Sequence, residues 1–191
     1  MNLITDRIKE SIEVKGKILA DPLLLEKIEI SAQTIISCFN NGHRLYFCGN
    51  GGSAADAQHL AAEFSGRYYF DRPPLPAEAL HVNSSYITAV GNDYSYDLIY
   101  SRYIAGAGSR GDVLVGISTS GNSGNIIQAM IKAREIGMEI IAFTGSTGGK
   151  MKEHANILLN VPSTDTPRIQ ESHITIGHII CEIVESALFK K

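Results

Sequence analysis

Leu45-Tyr46-Phe47-Cys48-Gly49-Asn50-Gly51-Gly52-Ser53-Ala54-Ala55-Asp56-Ala57-Gln58-His59-Leu60-Ala61-Ala62-Glu63 reads as a strand, a turn and a helix in one run. Leu45 to Cys48 are apolar enough for a buried strand. The glycines that follow break it at Gly49 and permit positive φ or the close approach of a ligand. Ser53 is the expected N-cap of an Ala-rich helix over 53–65. The free N–H groups and positive dipole end of that helix face the loop, so the loop can hold an anion. His59 and Glu63, four residues apart, leave the helix on one face a turn apart, which suits a shared metal or a proton-transfer pair. A surface pair worth a few tenths of a kcal/mol has the same spacing. The small and apolar neighbours favour a pocket.

Short apolar runs over 45–48, 79–82, 113–117, 140–144 and 157–161 alternate with helical stretches over 53–65, 84–91, 123–136, 147–153 and 167–189. Such βα alternation predicts an α/β fold: a single-domain, five-stranded parallel sheet flanked by helices, doubly wound in the flavodoxin-like manner, with ligands at the carboxyl ends of the strands. Two helices precede the core of residues 43–191. The first, over 3–19, repeats Ile4, Ile8 and Ile12 on one face. The second starts at Asp21-Pro22, an N-cap with proline at the first helical position, and stops at Asn41-Gly42. With no strand to cover, the N-terminal pair (1–42) and its isoleucine row are expected to make an oligomer contact. Residues 68–76, with three prolines, read as an exposed crossing loop.

A chain of 191 residues fits one domain, and 44% apolar with 19% charged residues is ordinary for a soluble protein. No apolar run approaches the roughly 18 residues of a membrane span, and the start Met1 to Arg7 lacks a secretory layout, so a cytoplasmic location is expected. A net charge of −3 with scattered Lys and Arg gives no basic stripe, which argues against nucleic acid as a ligand. Cys38, Cys48 and Cys181 are odd in number and far apart, as reduced thiols are; Cys48 beside the glycine loop is read as a buried strand end.

A second loop, Ser118-Thr119-Ser120-Gly121-Asn122-Ser123-Gly124, leads into the helix after the third strand. Its hydroxyls, glycines and helix start offer several neutral donors to one anion, and each hydrogen bond to a charged group is worth about 1.5–3 kcal/mol before desolvation. Alone, this loop reads as an ordinary polar turn. Two such loops on neighbouring strands point to a phosphate monoester. Neither is a Walker loop or a G-x-G-x-x-G turn, which disfavours nucleotide cofactors. In the last helix, Gln170 and His178 are eight residues apart and return to within roughly 80° of each other. On its own, His178 among isoleucines also fits a core histidine.

The run CGNGGSAADAQHLAAEFSGRY from Cys48, then Gly91-Asn92-Asp93, then ISTSGNSGN from Ile117, then Arg168-Ile169-Gln170-Glu171 with a histidine seven residues after the glutamate, resembles the phosphoheptose isomerases of the sugar isomerase (SIS) family over nearly the whole chain. The resemblance implies aldose–ketose isomerisation of sedoheptulose 7-phosphate to D-glycero-D-manno-heptose 7-phosphate through an enediol, the entry to heptose synthesis for surface polysaccharides. It also implies a homotetramer with active sites at subunit interfaces.

Carried over by position, Ser118, Thr119, Ser120 and Ser123 hold the phosphate. Asn50, Ser53 and Asp93 meet the sugar hydroxyls, with Gly51, Gly52, Asn92, Gln170 and Arg67 beside them. His59, Glu63, Gln170 and His178 correspond to ligands of one zinc ion per subunit, and Glu63 and His178 also correspond to the acid–base pair. A carboxylate clamped on zinc is a poor base, so the two roles of Glu63 agree only if coordination loosens as substrate binds. Pro167 stands where some relatives carry an acidic residue before the arginine, and Asp165 is the expected substitute. The competing expectation is a non-catalytic SIS module that binds a phosphosugar or a replication-initiator-type protein partner. Such modules replace the helix carboxylate with a small residue, so Glu63 together with His178 favours catalysis.

Overall fold

The computed structural model describes residues 2–189. Its first helix, α1 (Leu3–Leu19), is followed by α2 (Pro22–Asn40). Asp21 caps α2 by accepting from the backbone N–H groups of Leu23 and Leu24, both at 3.1 Å. Then come β1 (Leu45–Gly49), α3 (Gly52–Ser65), β2 (Ala77–Ala79), α4 (Ser84–Asp93), α5 (Ile99–Ala107), β3 (Val113–Ile117), α6 (Gly124–Ile136), β4 (Glu139–Thr144), β5 (Ile157–Asn160) and α7 (Thr166–Phe189).

The five strands are parallel in the order β2-β1-β3-β4-β5, the flavodoxin-like doubly wound order, and the direction in which strands are added reverses between β1 and β3. At that reversal Gly49 pairs in register with Ile117, so the glycine loop and the serine loop leave the sheet side by side. Alternation along each strand divides the core into two layers. Leu45, Phe47, Val113, Val115, Ile141 and Phe143 face α2, α3 and α7. Tyr46, Cys48, Leu114, Ile140 and Ala142 face α5 and α6.

Four local expectations are corrected. The second strand is Ala77–Ala79, not 79–82: Ala77 to Ala79 pair with Leu45 to Phe47, and after Leu80 N donates to Phe47 O at 2.9 Å the chain turns away. A short 3₁₀ turn (Tyr96–Leu98) and α5 were not foreseen. The stretch 147–153 is a 3₁₀ turn over Gly149–Glu153 rather than an α-helix. The N-cap of α3 is Gly51, at φ 54°, and not Ser53, which lies inside the first turn and is buried. Among the described residues no helix is long and apolar enough to cross a membrane.

Candidate active site

Gly49 ends β1 where α3 folds back over the strand: a Cβ at Gly49 would run into the carbonyl of Ser53. Tyr100, buried in α5, donates its hydroxyl to the Gly49 carbonyl at 2.5 Å and fixes this corner. Asn50 and Asn125 exchange amide hydrogen bonds of 2.9 and 2.8 Å, and Tyr96 Oη donates to Asn50 Oδ1 at 3.2 Å. The Asn50 oxygen is therefore engaged, and one N–H of its amide remains to meet a ligand. Gly51 and Gly52 are exposed on the loop.

Across the strand reversal, Ser118 Oγ lies 2.9 Å from Ser123 Oγ and 3.4 Å from Ser120 Oγ. Ser123 is the N-cap of α6, yet its side chain makes no cap bond; Ile126 N donates instead to Asn125 Oδ1 at 3.0 Å, which leaves the N–H groups of Gly124 and Asn125 at the helix start beside the hydroxyls. Thr119 and Ser120 also line a cavity of about 180 Å³ with Gly145, Ser146, Thr147, Ser163, Thr164, Thr166 and Ile169. A larger cleft of about 550 Å³, lined by Glu29, Gln33, Ser37, His43 and Glu139, opens at the amino ends of the strands and holds none of these residues.

The first turns of α7 span the carboxyl ends of β1, β3 and β4. Ile169 packs on Gly145, buried His173 bonds through Nε2 to the Thr144 carbonyl at 3.1 Å, and Gln170 rests its amide on Gly52. Two turns farther on, His178 meets α3. Its Nε2 is 2.9 Å from His59 Nε2, which is 3.3 Å from Glu63 Oε1. One donor atom from each of the three lies within 4.8 Å of the others. Two imidazole nitrogens and a carboxylate oxygen are the donor set of a zinc site. Ligands at about 2.0–2.1 Å from one tetrahedral ion stand about 3.3 Å apart, and the His59–His178 and His59–Glu63 separations are close to that, so the trio could hold a metal ion. The ring of Tyr68 packs beside that of His178, tilted, with centroids 5.8 Å apart. Burial first, then Tyr69, pushes the Tyr68 phenol up to about 12, so it packs there neutral.

Not every expected residue arrives. Asn92 and Asp93 lie at the end of α4, bonded to each other at 2.9 Å. Exposed Arg67 has no hydrogen bond or ion pair with another described residue. Arg168 reaches away from the site, to the Arg7 carbonyl and to Glu171, both at 2.6 Å, and so fastens α7 to α1. The three cysteines are free and buried; burial raises the Cys48 thiol and leaves it inert. Asn125, Tyr68, Tyr96 and Tyr100 were not anticipated. Asn125 closes the serine motif at a helix start, where a buried amide is a signal; the tyrosines left none.

A SIS domain model matches residues 9–145. Fold and site thus define a SIS-domain protein with a phosphate-type loop beside a His/Glu/His group. Among named relatives, the phosphoheptose isomerase of Clostridium acetobutylicum is 53% identical over 188 residues, covering 98% of this chain and 96% of that protein. That of Mycobacterium tuberculosis is 54% identical over 180 residues, covering 94% and 92%. The solved phosphoheptose isomerase of Neisseria gonorrhoeae superposes with a TM-score of 0.90 at 43% identity, covering 96% of this chain and 97% of that one. The chain belongs to the phosphoheptose isomerase family.

Proposed function

We propose that this protein is an aldose–ketose isomerase that converts sedoheptulose 7-phosphate to D-glycero-D-manno-heptose 7-phosphate. The observation that carries this is the meeting of His59 and Glu63 from α3 with His178 from α7, beside two loops that leave the sheet at its reversal. The full-length similarity to phosphoheptose isomerases supports the same substrate.

Ser118, Thr119, Ser120, Ser123 and the start of α6 bind the phosphate. The free N–H of Asn50, with Ser53 and the Gly51-Gly52 backbone, orients the open-chain sugar. Glu63 removes a proton from C1 of the ketose and the enediol regains one at C2, while His178 carries the hydroxyl proton from O1 to O2; no atom is gained or lost. His59, Glu63 and His178, with Gln170 as the expected fourth ligand, would hold one zinc ion, which supplies a Lewis acid for the carbonyl oxygen. Among the described residues Arg67, Asn92 and Asp93 have no partner in the site of their own subunit, which fits completion of each site by a neighbour in a homotetramer. A cytoplasmic enzyme making a heptose phosphate for surface polysaccharides is the setting this implies.

Glu63→Gln is expected to lower kcat by about 10²–10⁴-fold while the variant still binds the ketose phosphate in equilibrium titration. Wild-type turnover in that variant would remove Glu63 as the base. A second reading, a phosphosugar-binding module without turnover, has no observation in its favour beyond the shared fold.

A further inference from the structure

Behind the His/Glu/His group lies a buried ion pair that the chemistry above does not use. Arg72 Nε and Glu185 Oε1 are 2.8 Å apart, with side chains only 2% and 1% exposed. The expected exposed loop over 68–76 therefore hides its central arginine. Glu185 also accepts from the backbone N–H groups of Tyr68, Tyr69 and Phe70, at 2.9, 2.6 and 3.2 Å. Arg72 Nη2 donates to the carbonyl of Glu63 at 2.8 Å, and Nη1 donates to the carbonyls of Phe64, Pro73 and Gly66, at 2.9, 3.1 and 3.3 Å. The guanidinium thus satisfies carbonyls that the end of α3 leaves without helical partners.

The two charges reach both halves of the site. Arg72 grips the backbone of Glu63. Glu185 stands seven residues after His178 on the same face of α7, and it holds the backbone of Tyr68, whose ring packs beside that of His178. Apolar residues of similar volume in place of a buried ion pair are often neutral or stabilising. Here, however, the pair also satisfies seven backbone groups and so stabilises the fold, and by joining the backbone of Glu63 to that of Tyr68 beside His178 it fixes the distance between two helices. We propose that Arg72 and Glu185 are positioning residues that set the separation of Glu63 from His178, and hence the acid–base geometry and the affinity of the metal group. This rests on the function proposed above.

The test uses the full chain with Arg72→Met/Glu185→Leu, which replaces the pair with apolar side chains, and Glu185→Gln, which keeps volume and one acceptor oxygen. Three quantities are measured: the melting temperature, the Kd of metal-free protein for Co²⁺ with its visible spectrum, and kcat and KM separately. The expected result for the double variant is a lower melting temperature, because apolar side chains leave those backbone groups unpaired, with, in the folded protein, a metal Kd weaker by about 10–100-fold, an altered Co²⁺ spectrum, and a kcat at least tenfold lower with KM within about threefold. Glu185→Gln should show the same pattern in smaller measure. Wild-type metal affinity and kcat in a folded variant would overturn the proposal, as would losses in Glu185→Gln that only follow its unfolded fraction. If the wild type proved inactive on every ketose phosphate, the functional reading would fail while the Co²⁺ affinities still decided the positioning role.

Discussion

Glu63 and His178 come from helices far apart in the chain, α3 and the last helix α7, and their meeting is what turns two ordinary helical positions into a candidate site. The spacing of His59 and Glu63 was legible in sequence because four residues close one helical turn. Their encounter with His178 depends on α7 lying across α3, and only the family resemblance anticipated it. The Ser118 and Ser123 hydroxyls were legible as part of a hydroxyl-rich loop at a helix start, and they stand 2.9 Å apart; phosphate binding there is the proposed role. Removing one hydroxyl by Ser118→Ala or Ser123→Ala is expected to raise KM by about 10- to 100-fold with a smaller effect on kcat, since each bond to a charged phosphate is worth about 1.5–3 kcal/mol. Steady-state kinetics check this; an unchanged KM would move the phosphate elsewhere. The Asn50–Asn125 amide pair was not legible, because partners 75 residues apart leave no periodic trace.

Helix α7 shows how one element serves both stability and chemistry. Gln170 rests on the glycine loop, His178 meets α3, and between them buried His173 ties the helix to the end of β4. Burial lowers the His173 pKa from its usual 6.5 to about 4, against a smaller upward pull from the Thr144 carbonyl. The unfolded chain protonates this histidine below about pH 6.5, whereas the folded chain does so only near pH 4. Its stabilising contribution is therefore full above about pH 6.5 and is lost as pH falls toward 4, by up to about 3 kcal/mol. Denaturant midpoints across this window should fall with pH, and His173→Gln should flatten that slope; an equal slope in the variant would contradict it. Burial alone would raise the Glu185 carboxyl, but the hydrogen bonds from Tyr68, Tyr69, Arg72 and Phe70 outweigh it and hold it below its usual range, adding a loss of the same sign at lower pH. Strand and helix types were legible wherever hydrophobic periodicity was strong. The misplaced second strand and the missed α5 lay where apolar residues such as Leu80, Ile99 and Tyr100 are buried in short, irregular pieces.

In the whole molecule, the doubly wound parallel sheet flanked by helices followed from βα alternation, whereas the proposed contact between subunits rests on one trace. Along α1, Ile4, Ile8 and Ile12 are 66%, 56% and 65% exposed, while Val14 and Ile18 pack on the core. So regular an apolar row, outward on a helix fastened to α7 through Arg168, fits burial against other subunits. If the proposed homotetramer forms through this row, Ile8→Glu with Ile12→Glu is expected to yield smaller species than the wild type in sedimentation while the circular dichroism stays unchanged; an assembly of unchanged size would place the contact elsewhere. When the metal-replete protein is incubated with sedoheptulose 7-phosphate and followed by NMR, the aldose heptose 7-phosphate should appear with the wild type and be absent with Glu63→Gln. Binding of the ketose phosphate without any aldose from the wild type, on this sugar and on shorter ketose phosphates, would contradict the proposed isomerisation.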